Sequence, residues 1–140
     1  MNTLRSILLG LTVLLMAAST QAQQYGAKAD IPFDFVVGDH VYPAGEYILK
    51  GASSLNTVLR ITNADGDSSR FTPTNTCSLS HPSQETKLVF RRMGDTLYLS
   101  QLWIAGSDTG REFPKSHAET LLAKNHQQEE TVIVAAQLSR

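Results

Sequence analysis

Lys87-Leu-Val-Phe-Arg-Arg-Met-Gly-Asp-Thr-Leu-Tyr-Leu-Ser-Gln-Leu-Trp103 decides the fold class of this chain. Leu88 and Phe90 alternate with charged neighbours, as side chains do on a strand with one face in a core. Met93-Gly94-Asp95 is a tight connection, and Thr96 to Ala105 carries apolar residues on both faces: Leu97, Leu99 and Trp103 on one, Tyr98, Leu102 and Ile104 on the other. A strand covered on both sides belongs in the middle of a sheet. The 87–105 hairpin is therefore expected to be the spine of a β fold.

The same period extends outward from this hairpin. Ile31, Phe33, Phe35 and Val37 alternate, with Asp34 on the opposite face. Pro32 lacks a backbone donor, which places this strand at an edge or the proline at its start. Gly38-Asp39 and Pro43-Ala44-Gly45 read as turns around a short Val41-Tyr42 strand, and Tyr47 and Leu49 alternate in the next. Leu55 to Thr62 reads as a strand with Leu55, Leu59 and Ile61 on one face, and Asn63 to Asp67 as a hairpin turn leading to Ser69–Thr72. Pro73 to Gln84 is a polar excursion with at most a short strand through Cys77 and Leu79. Gly106 to Lys115 reads as a loop.

One helix is expected, over about 116–125. Ser116 and Glu119 form a capping box, Ala118, Leu121 and Leu122 an apolar stripe, and Asn125 a stop. Thr131 to Ala136 is a final strand. The sum is an all-β chain, a single antiparallel β-sandwich or small β-barrel of about eight strands. A membrane barrel is disfavoured, because its strands need about nine to eleven residues each.

The amino terminus fixes the compartment. Arg5, an apolar run from Ile7 to Ala18 and the small-residue site Thr20-Gln21-Ala22 have the pattern of a secretory signal peptide over residues 1–22. The run of about twelve apolar residues is too short to span a membrane, which takes roughly twenty. Residues 23–29 read as a flexible lead-in and 30–140 as one β-rich domain. The expected location is periplasmic or extracellular, without a stable membrane span after cleavage.

The formal net charge of −1 becomes one unit more negative when Arg5 is removed, so the chain carries no electrostatic footprint for nucleic acid. The one cysteine, Cys77, has no partner for an internal disulfide. It is either buried or paired with another chain.

No motif establishes catalysis. Asp108-Thr109-Gly110 spells the triplet of aspartic proteases but does not directly follow an apolar strand, so turn chemistry explains it better. Asn63, Asp65 and Asp67 open like a calcium loop, yet Ser68 and Thr74 stand where glycine and a bidentate glutamate are required. These three remain the first place to look for a metal. His40, His81, His117 and His126 lack zinc spacing. Asp34, Asp39, Glu46 and Glu112 are the acids from which a carboxylate pair for sugar hydrolysis would be drawn. Trp103, Tyr42, Tyr47 and Tyr98 offer either a stacking platform or core. Arg91, Arg92, Arg111 and Lys115 offer a basic patch or a solvated face.

Ile31-Pro-Phe-Asp-Phe-Val-Val-Gly38, Tyr42-Pro-Ala-Gly-Glu-Tyr47, Lys87-Leu-Val-Phe90, Leu99-Ser-Gln-Leu-Trp103, Gly106 and Gly110-Arg-Glu-Phe-Pro-Lys-Ser116 together resemble an uncharacterised family of small exported bacterial β-rich proteins. The resemblance implies export and a single domain, and carries no activity or cofactor. The resulting expectation is a non-catalytic β-domain that binds an envelope or extracellular partner through its loops. Trp103, Asp108, Arg111, Glu112 and Lys115 are its candidate contact residues. The alternatives are a small hydrolase acting on a saccharide or peptide through carboxylates in a barrel mouth, and an assembly protein pairing through the Pro32 edge strand.

Overall fold

The computed structural model describes residues 25–125 and 128–139. The signal segment, residues 1–22, lies outside them. Twelve strands and one helix are described. Sheet I has the order β12 (Gln137–Leu138), β1 (Gly26–Ile31), β4 (Gly45–Gly51), β5 (Val58–Asn63), β6 (Ser69–Pro73). Sheet II runs β11 (Glu129–Ala135), β8 (Lys87–Met93), β9 (Thr96–Trp103), β10 (Thr109–Glu112), β7 (Asn75–Ser78). The hairpin β2 (Phe35–Val37) and β3 (His40–Tyr42) joins sheet II through a parallel bridge from Val36 to Tyr98. The architecture is a β-sandwich, not a closed barrel.

The chain changes sheets at Pro32–Asp34, Pro43–Ala44, Thr74 and Ala136. Such switches make the corners of a sandwich. They also explain two departures from the sequence reading. The 31–37 alternation is kept, with Ile31, Phe35 and Val37 buried and Phe33 packed against the same core, but Pro32 sits at a crossing between two strands. Moreover, β1 begins at Gly26 and lies between β12 and β4, so 26–29 is not a flexible lead-in and the Pro32 strand is not an edge. The edges of sheet I are β12 and β6.

Both short hairpins turn on glycine. Gly38 and Gly94 stand at the first central position with φ of 60° and 62°. That is the requirement of a type II′ turn, whose twist matches that of the flanking strands.

The core collects Ala27, Ala29, Ile31, Tyr47, Leu49, Leu59 and Ile61 from sheet I and Phe35, Val37, Tyr42, Leu88, Phe90, Leu97, Leu99 and Leu102 from sheet II. Leu55, expected to share a face with Leu59 and Ile61, is exposed in the loop before β5. Phe35 organises the aromatic centre: it stacks on Tyr42 at 5.1 Å and meets Tyr47 edge-on at 5.2 Å. Tyr42 and Tyr47 are therefore core residues, not a sugar platform.

β9 holds the main correction. Phe90 pairs with Leu99 while Val89 pairs with Gln101, which leaves Ser100 as the extra residue of a β-bulge. One added residue reverses the facing of everything after it. Leu102 therefore joins Leu97 and Leu99 in the core, while Trp103 turns to the outer face of sheet II. There it covers Gly110, where an added Cβ would lie 2.6 Å from Trp103 Cε3 and 2.8 Å from the Leu102 carbonyl oxygen. Gly110→Ala should destabilise by about 2 kcal/mol through overpacking. An unchanged urea midpoint would refute that packing.

Candidate functional site

The segment from Gly106 to Lys115 is only partly a loop. Thr109–Glu112 is strand β10, paired with both β9 and β7. The loop proper, Ala105–Asp108, is laced to the excursion after β7. Leu79 N donates to Asp108 O at 2.8 Å, Gly106 N to Ser83 O at 2.8 Å and Ser83 N to Ser107 O at 2.9 Å. Ala105 N donates to Thr86 Oγ1 at 3.1 Å, and the Ser83 hydroxyl donates to Glu85 O at 2.7 Å. Two connections thus form one ordered platform at an end of sheet II, with Leu79, His81, Pro82, Gln84 and Asp108 exposed on it.

The candidate contact residues separate accordingly. Asp108 and Lys115 are exposed but flank β10, with the strand between them. Asp108 Oδ1 accepts the Thr109 hydroxyl at 3.1 Å, as in a local turn. Trp103 is buried on Gly110, with Nε1 donating to Gln101 Oε1 at 3.0 Å. Glu112 is partly buried, opposite Gln101 and Asn75. Arg92 is exposed and meets Glu130 at 3.5 Å.

Arg111 belongs to the interior. It pairs with Leu102 and Thr76 and so faces the core, 8% exposed. Nη1 donates to Thr76 Oγ1 and Nη2 to Leu55 O, both at 2.8 Å, which ties sheet II to the loop before β5. No described carboxylate stands within ion-pair distance of it. The Tyr25 hydroxyl, at the same end, is buried without a hydrogen-bond partner. Its pKa is pushed up from 10.0 to about 12, chiefly by burial, which Arg111 opposes and Cys77 reinforces.

A raised phenol pKa stabilises the fold only while the proton stays on. The contribution of this group is fully present below about pH 10 and is lost as pH climbs towards about 12. Tyr25→Phe should flatten this loss in a series of alkaline melts. It should also raise stability near neutrality by about 1 kcal/mol, because an orphaned buried hydroxyl is removed. A Phe variant that melts in alkali as the parent does would refute this.

Cys77 is a free, partly buried thiol. Burial and then Glu112 push its pKa up, against Arg111 and backbone hydrogen bonds, so the thiol form is favoured over the nucleophilic thiolate. In the β5–β6 turn, Asn63 Oδ1 accepts from Ser68 N at 3.0 Å and Gly66 N donates to Asn63 O at 3.0 Å, while Asp65 and Asp67 are exposed. Among the described residues no three His, Cys, Asp or Glu side chains are grouped to hold a metal.

The helix α1 (His117–Lys124) lies on the outer face of sheet II. Ser116 caps it as expected: its hydroxyl accepts from Glu119 N, and its own N–H donates to Glu119 Oε2 at 3.3 Å. The buried face differs from the expected stripe. Leu121 and Ala118 are exposed and Leu122 partly buried, whereas Glu119 is 2% exposed. Its Oε1 stands 2.7 Å from Arg91 Nε, so Arg91 belongs neither to a basic patch nor to a solvated face. Of the described acids, Glu119 alone is buried. Tyr98, Arg91's cross-strand neighbour, has its pKa raised by burial and then by Glu119.

No family model, no curated protein and no solved structure matches this chain. That outcome is consistent with the resemblance to an uncharacterised family.

Proposed function

We propose that this chain is an exported, non-catalytic β-domain that binds an envelope or extracellular partner through the Leu79–Glu85 and Ala105–Asp108 loops. The observation that carries this reading is the backbone lacing between those two connections, which holds exposed apolar, imidazole and carboxylate groups in fixed register. A preordered surface loses little conformational entropy on binding. The signal pattern at residues 1–22 supports export, and no described helix is long and apolar enough to cross a membrane.

The placement of the acids favours binding over hydrolysis. Glycosidase chemistry needs two carboxyl groups about 5 to 9 Å apart, one of them with its proton held by an apolar setting. Asp34, Asp39 and Glu46 are exposed, Glu112 is only partly buried opposite Gln101 and Asn75, and the buried Glu119 faces the Arg91 guanidinium instead of a second carboxyl group. Photo-crosslinkers at positions 81, 84 and 108, with position 67 on the β5–β6 turn as control, test the proposal in the native envelope. Adducts should concentrate at the first three positions. Equal labelling at 67 would remove the platform from consideration.

A further inference from the structure

Arg91 is buried at 9% exposure in the middle of sheet II's outer face, in a cross-strand row with Thr131, Tyr98 and Val36. Its guanidinium is poorly served. Nε approaches Glu119 Oε1 at 2.7 Å, but the N–H is not aligned for a hydrogen bond, and Nη2, Nε and Glu119 Oε1 all lack a hydrogen-bond partner. A guanidinium reads a carboxylate best through two parallel N–H bonds in one plane. Glu119 does not offer that geometry here: only Oε1 approaches the guanidinium, and Oε2 is turned to the helix cap, where it accepts from Ser116 N at 3.3 Å.

The element that brings Glu119 here is lightly held. Among its eight residues only Glu119 is buried, and Leu122 is partly so. The docking of α1 thus depends on one imperfect ion pair and a single leucine. Charged groups are costly to bury in this way.

We propose that Arg91, with Tyr98 beside it, is a binding site for a ligand carboxylate, and that α1 closes this site by inserting Glu119 as an internal, poorly fitted substitute. An incoming carboxylate takes both Nη2 and Nε; Glu119 leaves with the helix. The site lies on the outer sheet face and is independent of the loop platform.

Two ligand sources share this chemistry: a peptide's C-terminal carboxylate and an acidic sugar. Calorimetric titrations of the full chain with a free-acid tripeptide and its amide, and with glucuronate and glucose, distinguish them. Two variants open the lid by different routes. Glu119→Gln removes the competing charge while keeping a capping-box side chain, and Leu122→Ser loosens the helix while keeping both charges. Each should tighten binding of one carboxylate at least tenfold, with no gain for the amide or glucose, and saturating ligand on the unmodified chain should speed amide exchange in residues 117–124. Unchanged exchange in β8 and β9 verifies that the variants stay folded. The proposal is overturned by any of three results: no carboxylate binding to either folded variant at about 1 mM, less than a twofold change from the parent, or binding that survives Arg91→Leu in the Glu119→Gln background.

Discussion

Replacing Phe90 with alanine should remove about 3–5 kcal/mol of stability, the range for emptying a buried phenylalanine site. Phe90 is 0% exposed and is the point where the two halves of the aromatic centre meet, with Phe33 edge-on at 5.0 Å and Phe35 at 5.6 Å. Both contacts join β8 to the stretch where the chain crosses from sheet I to sheet II. Each such pair contributes roughly 0.5–1.5 kcal/mol beyond its buried area. Domains of this size are stable by about 5–15 kcal/mol, so the variant should be largely unfolded at modest urea. Phe71, 66% exposed on edge strand β6, is the matched control, and Phe71→Ala should stay within about 0.5 kcal/mol of the parent. Equal losses from the two would show that Phe90 does not sit at the centre of the core.

Arg111→Glu should cost about as much, roughly 3–5 kcal/mol, for an electrostatic reason. The guanidinium points inward and satisfies two acceptors, Thr76 Oγ1 and the Leu55 carbonyl. A carboxylate there would be aimed at the Leu55 carbonyl oxygen, a repulsion that donation from the Thr76 hydroxyl offsets only in part. Arg111→Met, similar in volume and uncharged, separates the terms: it loses two hydrogen bonds but buries no charge, and about 1–2 kcal/mol is expected. Denaturant melts of the three proteins give the ordering directly. If Arg111→Glu lies within 0.5 kcal/mol of the parent, Arg111 is a solvated surface base, as its place in the sequence suggests.

These two residues show how unevenly the structure was legible in the sequence. Phe90 was readable because it sits in an unbroken alternation, and burial of alternate side chains is a local property of an extended chain. Arg111 was not, because nothing beside it in Gly110-Arg111-Glu112 tells which face is covered. Its direction follows from pairing with Leu102 and Thr76, residues 9 and 35 positions away. The Ser100 bulge lay between these cases. Leu99 and Leu102 stand three apart with Ser100 and Gln101 between them, a spacing that breaks period two and marks an inserted residue. Following the period through that break misplaced Trp103.

The candidate sites divide the same way. Asp108 and its neighbours were recognisable as turn chemistry, but the lacing of their loop to Ser83 and Leu79 joins segments with no sequence relation. The Ser116–Glu119 capping box was legible because it is closed within one helical turn. That the same Glu119 meets Arg91 was not, since an acid that completes a cap ordinarily points to water.

By itself, the amino-acid order determined what short-range sterics and hydrogen bonding settle: the strand periods, the glycine turns at 38 and 94, and the capped helix. The tertiary structure alone decided the corners where strands change sheet, the face on which Trp103 lies, and the burial of Arg111, Arg91 and Glu119. Those outcomes depend on which distant backbone segments pair and in what register. No local preference encodes that choice; it emerges when two apolar faces close over each other and each remaining polar group takes the nearest partner.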